Sequence, residues 1–313
     1  MTSTRPEPSA SAPLAGADFR DADFGRLGLP DVPGVRHRFV DAGGLRMHVA
    51  EAGEGDPIVM LHGWPQHWYL WRDVIPLVAP HARLICPDLR GFGWTDVPSS
   101  GYDRETMARD VLALLDALEL ERVRLVGHDW GGWIGFLLCL NEPRRISRFV
   151  ALSILPPWPS GDPRDVFELW RGAYQVPLAL PLFGRRAVHH GGARLALRTA
   201  SDAFDEAELD AFTGRLKGER AQASERLYRT FLTREALPVA LGRYAGRVLE
   251  VPTLLLVGER DFGIPQHTAR KHAAATQSLE LELVGDASHF VVDERPDLVA
   301  DRILRFFTKK SDE

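Results

Sequence analysis

Short apolar runs alternate with segments of helical spacing along most of the chain. Largely apolar runs predict buried strands, and they occupy residues 58–61, 83–86, 123–126, 149–152 and 253–257, with a further strand predicted at 279–284. Apolar positions three and four apart predict helices, here at residues 68–78, 106–118, 267–275 and 297–307. Strands and helices that alternate in this way form a mostly parallel sheet with helices on both faces. The pattern therefore predicts an α/β fold.

An antiparallel pair of strands is predicted near the start of the chain. Apolar and polar residues alternate over 36–40 and again over 45–50, and Gly43-Gly44 between them suits a two-residue hairpin turn. Residues 1–34 are rich in Ala, Pro, Ser and Asp and contain no apolar run typical of a secretory signal peptide. We expect 1–34 to form a flexible tail and the structured chain to begin at Val35.

The alternation of strands and helices stops between Pro156 and Gly246. This segment has proline-rich joins and helical stretches at 166–174, 206–216 and 221–232, but no buried strand. Roughly 90 residues are too many for an ordinary connection between elements. Since the strands resume at residue 253, the segment is predicted to be an insertion within one domain. We expect an eight-stranded core from 35–155 and 247–313, with 156–246 inserted as a helical cap, or lid.

Composition and charge exclude several classes of partner. The 313-residue chain has 38 Lys and Arg against 43 Asp and Glu, a net charge of -5, and the two signs are interleaved, so neither a nucleic-acid face nor an anionic membrane face is predicted. No charge-free apolar segment reaches the roughly 20 residues that span a bilayer. Cys86 and Cys139 lie in apolar segments, which indicates buried thiols in a reducing compartment. We therefore predict a cytoplasmic protein, and the oligomeric state stays open, with a homodimer as one option.

Neither a metal nor a cofactor is expected. His189-His190 lacks acidic or cysteine residues at ligand spacing, so an exposed lid surface is the better interpretation. The glycines around residue 129 do not match a dinucleotide-binding pattern either, because Gly127-His128-Asp129 interrupts it.

One strand leads into a turn that is typical of a catalytic nucleophile. The apolar run 123–126 is followed by Gly127-His128-Asp129-Trp130-Gly131 and then by an apolar helix. A reactive residue between two such glycines sits on a sharp strand-to-helix turn, where bulkier residues would clash. The central residue is Asp129, and a carboxylate can displace a leaving group from a saturated carbon. The alternative is that Asp129 only caps the helix, as Asp commonly does.

Two later loops supply the residues that an ester on Asp129 would need for its hydrolysis. A base must activate water, and a partner must hold that base in the right tautomer. Asp261 follows the strand at 253–257 and His289 follows the strand at 279–284, and the ends of parallel strands are where catalytic residues collect. The order nucleophile, acid, histidine is that of α/β-hydrolases. Taken singly, Asp261 is as readily a turn cap and His289 an ordinary loop histidine.

Two backbone amides are candidates for an oxyanion hole. A tetrahedral intermediate needs N–H donors aimed at its developing charge. The amide of Trp130 directly follows the nucleophile, and the amide of Trp64 lies in His62-Gly63-Trp64-Pro65, just after the strand at 58–61. A tight turn explains Gly63 without any catalysis, so this motif supports the assignment without carrying it.

These motifs together resemble the soluble epoxide hydrolase branch of the α/β-hydrolases. The resemblance extends from about Val35 onward and is weaker in the lid; it rests on the motifs His62-Gly63-Trp64-Pro65, Asp88-Leu89-Arg90-Gly91-Phe92-Gly93-Trp94-Thr95-Asp96, Gly127-His128-Asp129-Trp130-Gly131-Gly132, Gly258-Glu259-Arg260-Asp261 and the His289 loop. It implies an enzyme that opens a small apolar epoxide to a vicinal diol through an ester on Asp129, with water as second substrate and without a cofactor.

The resemblance also implies that two lid tyrosines protonate the epoxide oxygen. Tyr174-Gln175 resembles the first such site of the family and Tyr228-Arg229 the second, whereas Tyr244 is assigned to packing. An alkoxide leaves poorly unless a donor meets its growing charge. Apolar residues near these sites, with the two active-site tryptophans, are candidates for substrate binding: Trp64, Trp130, Phe167 and Trp170. Lid residues of this kind are equally ordinary core residues.

Two other functions are kept as alternatives. A haloalkane or haloacid dehalogenase uses the same Asp nucleophile and histidine, but it holds the leaving halide with N–H donors; Trp130 supplies one indole, and Trp158 and Trp170 are candidates for another. A serine esterase is disfavoured because no Ser occupies the turn. A non-catalytic ligand-binding protein of this fold is less favoured, since such a protein is expected to have lost a member of the triad.

Overall fold

One eight-stranded sheet organises the chain in a computed structural model that describes residues 27–160 and 163–309. The strand order is β1-β2-β4-β3-β5-β6-β7-β8. β1 and β2 pair antiparallel, β2 pairs antiparallel with β4, and the remaining neighbours are parallel. The α/β fold and its eight strands are confirmed; the strands are Arg36–Ala42, Leu45–Ala52, Pro57–Leu61, Arg83–Pro87, Val123–His128, Ile146–Leu152, Thr253–Gly258 and Leu279–Val284.

The central strands are apolar throughout because both faces of the sheet are covered. Successive side chains of a strand point to opposite faces, so Val59 packs in the core on one face while Met60 packs in the core on the other. The helices of the sheet domain are α1 (Ile75–Val78), α2 (Arg104–Ala117), α3 (Trp130–Asn141), α10 (Gln266–Ala275), α11 (Val291–Glu294) and α12 (Pro296–Thr308). Burial on both sides explains why these strands read as continuous hydrophobic runs.

One predicted helix is broken in the structure. Residues 68–78 form a 3-10 turn, Trp68–Trp71, followed by the separate short helix α1. Pro76 stands in the first turn of α1, and proline has no N–H with which to continue a helix from the preceding turn. The aromatic spacing that predicted one helix therefore spans two elements.

The inserted segment between β6 and β7 is helical, and it lies over the carboxyl ends of the strands. A 3-10 segment, Pro163–Gly172, comes first, and a π-helical turn, Phe231–Glu235, follows α8. The α-helices of the lid are α4 (Gln175–Ala179), α5 (Phe183–His189), α6 (Gly192–Ala200), α7 (Glu206–Thr213), α8 (Glu219–Thr230) and α9 (Ala236–Ala240). Helix α8 contacts the loops after β3 and β4, since Ser224 accepts the indole N–H of Trp64 and Arg220 donates to the carbonyl oxygen of Thr95.

Polar contacts fix the lid to the core at several points. Arg72 of the core binds Glu208 of α7 at 2.6 Å and Asp293 of α11 at 2.7 Å. Arg104, the first residue of α2, is fully buried and pairs with Glu235 of the π-helical turn. A buried ion pair of this kind is costly to break, because either partner alone leaves an uncompensated charge. The lid is therefore seated on the core by buried charges as well as by apolar packing.

The segment before β1 is packed on the core from Leu27 onward. Val32 is buried in the core cluster, and the indole N–H of Trp94 donates to the carbonyl oxygen of Leu27 at 2.9 Å. Residues 27–34 thus contact the domain, although the sequence placed them in the tail with 1–26. The expectation of flexibility for 1–26 lies outside the described residues.

The loop after β4 is held by one buried carboxylate. Asp88 accepts hydrogen bonds from the amides of Trp68 at 2.8 Å and Trp94 at 2.9 Å, and it contacts His48 Nδ1 at 2.7 Å. Burial opposes ionisation, but the neighbouring His48 holds the pKa of Asp88 well below its usual range. This carboxylate orders the segment that packs behind the His62-Gly63-Trp64-Pro65 turn.

Candidate active site

Asp129 stands on a strained turn between β5 and α3. Its φ is 50° and its ψ is -122°, a backbone conformation that costs energy for a residue with a side chain. Gly131 allows the turn because a Cβ there would lie 2.4 Å from the carbonyl oxygen of Leu61. The Asp129 side chain makes no capping hydrogen bond to α3. The alternative that Asp129 serves only as a helix cap is therefore wrong.

Two backbone amides contact the Asp129 carboxylate. The amide of Trp64 donates to Asp129 Oδ2 at 2.9 Å, and the amide of Trp130 also hydrogen-bonds this carboxylate. These are the two amides predicted as an oxyanion hole, and they converge on one oxygen-bearing group. Gly63 permits the approach because a Cβ at that position would lie 2.5 Å from Asp129 Oδ2.

His289 lies between two carboxylates. Its Nδ1 is 3.0 Å from Asp261 Oδ2, and its Nε2 is 3.9 Å from Asp129 Oδ1. The other oxygen of Asp261 accepts the amides of Gly263 at 2.8 Å and Ile264 at 3.2 Å. Asp261 is thus a turn cap and a partner of the imidazole at once, so the two interpretations of its sequence position are compatible.

The electrostatics of the site favour a charged histidine in the resting protein. Burial opposes protonation of His289, but the bond and charge of Asp261, with the charges of Asp129 and Glu294, raise its pKa to about 9. Burial raises the pKa of Asp129, against the effect of His289 and the two amides. At neutral pH the carboxylate of Asp129 therefore faces an imidazolium.

A cavity of about 510 Å³ connects this triad to the lid. Its lining combines Asp129 and His289 with residues of the lid and of the loops after β7 and β8; the other lining residues are Trp64, Tyr174, Ala196, Thr199, Ala200, Tyr228, Arg260, Phe262, Gly263, Ser288 and Phe290. Most of these are apolar or aromatic, which suits a largely hydrophobic ligand with a few polar contacts.

Both predicted lid tyrosines point into the cavity. The rings of Tyr174 and Tyr228 meet edge to face at a centroid separation of 6.3 Å, and Tyr228 is fully buried against Trp64 at a ring separation of 5.3 Å. Burial raises the pKa of both phenols, so both are protonated donors at neutral pH. Tyr244 instead donates to Glu105 at 2.8 Å, outside the cavity lining.

The two active-site tryptophans direct their indoles at the lid. The indole N–H of Trp64 donates to Ser224 Oγ at 3.0 Å, and the Trp130 ring packs edge to face on the Tyr228 ring at 5.9 Å. Each residue thus places its backbone amide on the nucleophile and its side chain on α8. Among the proposed substrate-binding residues, Trp64 alone is in the cavity lining.

The remaining aromatic candidates lie elsewhere. Phe167 and Trp170 are 76% and 58% exposed, and neither is in the cavity lining. The Trp170 ring packs on Phe262, which is in the lining, at a ring separation of 5.3 Å. The structure therefore does not bring these two residues to the nucleophile. Trp158 packs between Phe136 and His272 at 5.7 and 6.0 Å, away from Asp129.

Several residues of the cavity wall were not predicted from the sequence. Helix α6 contributes Ala196, Thr199 and Ala200, and no motif marks such small residues.

His128 is fully buried, and its Nε2 lies 2.8 Å from the carbonyl oxygen of His289. Burial lowers the pKa of His128 to about 3, so the neutral ring donates to that carbonyl. Its position directly before the nucleophile was the one available signal.

The described part of the chain holds neither a metal-ligating cluster nor a membrane-spanning helix. Residues 27–160 and 163–309 hold no group of three or more His, Cys, Asp or Glu side chains placed to bind a metal ion. Within the same ranges, no helix has the length and apolar character needed to cross a bilayer. His189 lies at the lid surface, where its Nδ1 accepts the amide of Gly218 at 3.2 Å.

Known proteins resemble this chain in sequence and in fold. Residues 56–296 match the family model of the alpha/beta hydrolase fold. A soluble epoxide hydrolase from Corynebacterium sp. (strain C12) is 30% identical over 87% of this chain and 97% of its own length. A haloalkane dehalogenase from Mesorhizobium japonicum is 27% identical over 82% of this chain and 86% of its own.

The solved structures agree with the sequence relatives. The structure described as epoxide hydrolase CorEH without ligand superposes with a TM-score of 0.77 at 28% identity, covering 87% of this chain and 98% of that one. The resemblance in the motifs is thus matched by likeness over nearly the whole length of the relatives. The chain belongs to the α/β-hydrolase fold family, in its soluble epoxide hydrolase branch.

Proposed function

We propose that this protein hydrolyses epoxides to vicinal diols through a covalent ester on Asp129. The observation that carries the proposal is one cavity that holds a buried carboxylate, a histidine–aspartate pair and two protonated phenols. A carboxylate nucleophile attacks saturated carbon, and phenols aimed across the cavity supply the acid that a departing alkoxide requires.

The first step forms the ester. Asp129 Oδ1, the oxygen that does not accept the Trp64 amide, attacks a ring carbon as the bond from that carbon to the epoxide oxygen breaks. The oxygen takes a proton from the Tyr174 and Tyr228 pair and becomes a hydroxyl, which leaves one phenolate. The two rings are 6.3 Å apart, so the remaining phenol can turn its hydroxyl towards the phenolate and stabilise its negative charge.

The second step hydrolyses the ester. His289 first gives its resting proton to the phenolate, directly or through water, which restores the phenol; the neutral ring then removes a proton from a water molecule as the oxygen of that water attacks the carbonyl carbon of the ester at Asp129. The amides of Trp64 and Trp130 stabilise the tetrahedral oxyanion, since they already contact this carboxylate. Collapse breaks the bond from the carbonyl carbon to the substrate oxygen, and the new carboxylic acid of Asp129 gives its proton to that oxygen. Diol, carboxylate and the resting imidazolium remain, so the cycle is balanced.

Formation of the ester prepares His289 for its task. The imidazolium of the resting protein cannot accept a proton, and part of its high pKa comes from the charge of Asp129. The ester is neutral, so this support disappears as soon as the first step is complete. The nucleophile therefore holds the base protonated until the base is needed.

The indole contacts favour this function over dehalogenation. A dehalogenase would use indole N–H groups beside the nucleophile to hold the halide, but that of Trp64 donates to Ser224, and the Trp130 ring packs on Tyr228. Trp158 and Trp170 stand outside the cavity lining. A phenol pair in the place of halide donors supports epoxide opening.

The lining favours an apolar epoxide of modest size, because about 510 Å³ is enclosed by mostly hydrophobic residues. The cytoplasmic location stays a prediction, and it rests on two free, buried cysteines, Cys86 and Cys139.

The test is a panel of epoxides and organohalides, with diol and halide measured side by side. We expect diol from apolar epoxides and little halide release. His289→Ala should complete the first step and fail in the second, so intact-mass spectrometry should show Asp129 alkylated by a confirmed substrate. Unmodified protein alone, after exposure to that substrate, would contradict the covalent mechanism.

A further inference from the structure

The peptide that carries His289 is held on both sides. Before it, the amide of Ser288 donates to Glu294 Oε2 at 2.5 Å. After it, the carbonyl of His289 accepts from the buried ring of His128 at 2.8 Å. An imidazole that must reach both Asp261 and a water molecule needs such restraint, because a shift of about 1 Å can cost a catalytic step about 100-fold in rate.

Glu294 also binds the lid. Its Oε1 accepts from Ser288 Oγ at 2.5 Å and from Ser201 Oγ at 2.5 Å. Ser201 is the residue that ends α6, and α6 supplies Ala196, Thr199 and Ala200 to the cavity wall. This carboxylate, together with a direct contact of Ser288 Oγ with the carbonyl oxygen of Ala200 at 3.1 Å, connects the loop of the catalytic base to the helix that forms a wall of the substrate cavity.

The sequence order explains how this arrangement arises. Glu294 ends the short helix α11 (Val291–Glu294), which begins two residues after His289. The chain thus turns back so that the carboxylate faces the loop it has just left. The Ser201 contact, by contrast, comes from 93 positions away and is made only when the lid is in place.

We propose that Glu294 is a positioning residue for His289, which fixes the histidine loop with one oxygen and ties helix α6 of the lid to that loop with the other. The proposal rests on the proposed function of the site, because it assigns Glu294 to the second, hydrolytic step. It also predicts that the Glu294 side chain contributes to a coupling between lid attachment and placement of the base.

The charge of Glu294 provides a readout that packing alone would not move. His289 is surrounded by ionisable groups from every element packed on it: Asp261 after β7, His128 and Asp129 at the elbow, Glu294 on α11, and Tyr174, Tyr228 and Arg260 across the cavity. Among the carboxylates, Glu294 raises the pKa of His289 after Asp261 and Asp129. Removal of its charge should therefore lower that pKa.

Three variants separate the roles. Glu294→Gln keeps the shape and can still accept from the Ser288 amide, but its NH2 group would donate to the Ser288 and Ser201 hydroxyls where the carboxylate accepted, so it removes the charge and reverses these two bonds. Glu294→Ala removes charge and hydrogen bonds together. Ser201→Ala removes only the bond from Glu294 to the lid and leaves the contact of Ser288 Oγ with the carbonyl oxygen of Ala200. Glu280→Gln is the matched control, since it makes the same chemical change at an exposed residue of β8 that pairs with Lys309.

The first measurement is the pKa of His289 by NMR titration of histidine-labelled protein, which needs no substrate. Glu294→Gln should lower this pKa, while Glu280→Gln and Ser201→Ala should leave it near the wild-type value. An unchanged pKa in Glu294→Gln would overturn the proposal. This readout is independent of whether epoxides are the substrates, so failure here is distinct from failure of the proposed function.

The second measurement is single-turnover kinetics on an epoxide that the wild-type protein converts. Glu294→Ala should slow ester hydrolysis by about 10- to 100-fold and leave ester formation near wild type, so the alkylated protein should accumulate. Glu294→Gln should recover most of that loss and shift the acid limb of hydrolysis to lower pH. Ser201→Ala should raise KM with kcat retained. Wild-type hydrolysis rates in both Glu294 variants would overturn the proposal.

Discussion

Neutralisation of Asp129 should lower the pKa of His289. The variant Asp129→Asn is the closest stable mimic of the ester, because it removes the charge and keeps the planar group under the Trp64 and Trp130 amides. His289 Nε2 lies 3.9 Å from Asp129 Oδ1. A change in the protonation of His289 therefore reports directly on whether the nucleophile controls the base.

The separation of the two charges sets the size of the effect. At about 4 Å, opposite unit charges attract by about 1 kcal/mol in water and about 4 kcal/mol at an effective dielectric constant of about 20. The side chains are 25% and 12% exposed, so the site lies between these limits. At about 1.4 kcal/mol per tenfold, the proton affinity of His289 should fall by about 5-fold to about 1,000-fold.

The assay is an NMR titration of labelled histidine side chains in the wild-type and Asp129→Asn proteins, with His289→Gln used to assign the resonance. The wild-type imidazole should titrate at about 9, and the variant distinctly lower. Intact mass should confirm that the amide survives beside the histidine. A pKa that stays at the wild-type value, or rises, would refute the idea that ester formation prepares the base.

Three further outcomes are expected. Tyr174→Phe should slow diol formation about 100- to 1,000-fold, the cost of one lost donor to developing charge, and undiminished epoxide opening would remove Tyr174 from the acid role. Gly63→Ala would place a Cβ 2.5 Å from Asp129 Oδ2 and should cost about 100-fold in kcat, whereas Gly285→Ala, which meets nothing closer than 3.9 Å, should be active; equal activity would contradict the close approach. Asp88→Asn should lower the free energy of unfolding by about 3 to 5 kcal/mol at neutral pH. Because the native pKa of Asp88 is depressed, its stabilising effect is present above the unfolded value of 3.8 and is lost as pH falls, so denaturation at several pH values should show the two proteins converge in acid.

The sheet could be predicted from the sequence because its pattern is local. Strand 279–284 was predicted with the bounds that the structure shows, and the others differ by a few residues at their ends. The single helix expected at 68–78 was wrong, since Pro76 divides it. The periodic pattern shows only which side chains are buried. Two short elements that pack on the same face of the core give the same pattern as one long helix.

The site could be located only in part. Asp129, Asp261 and His289 stand on motifs directly after strands, and parallel strands bring such loops together; their catalytic roles stay predictions. The contribution of α6 and the bridge from Glu294 to Ser201 depend on how the lid settles on the core. A contact between two polar residues 93 positions apart, such as Glu294 and Ser201, leaves no periodic or motif signal in the sequence.

Trp64 and Trp130, the two tryptophans beside the nucleophile, connect the lid directly to the oxyanion hole. Each offers its main chain to the reacting group and its ring to helix α8, through Ser224 or Tyr228. A lid transplanted from another protein would therefore need more than a matching pocket shape, because it would also have to provide contact partners for the indole rings of Trp64 and Trp130. Replacement of the lid should therefore change the substrate range of an active enzyme only when the original helix α8 is kept together with the core.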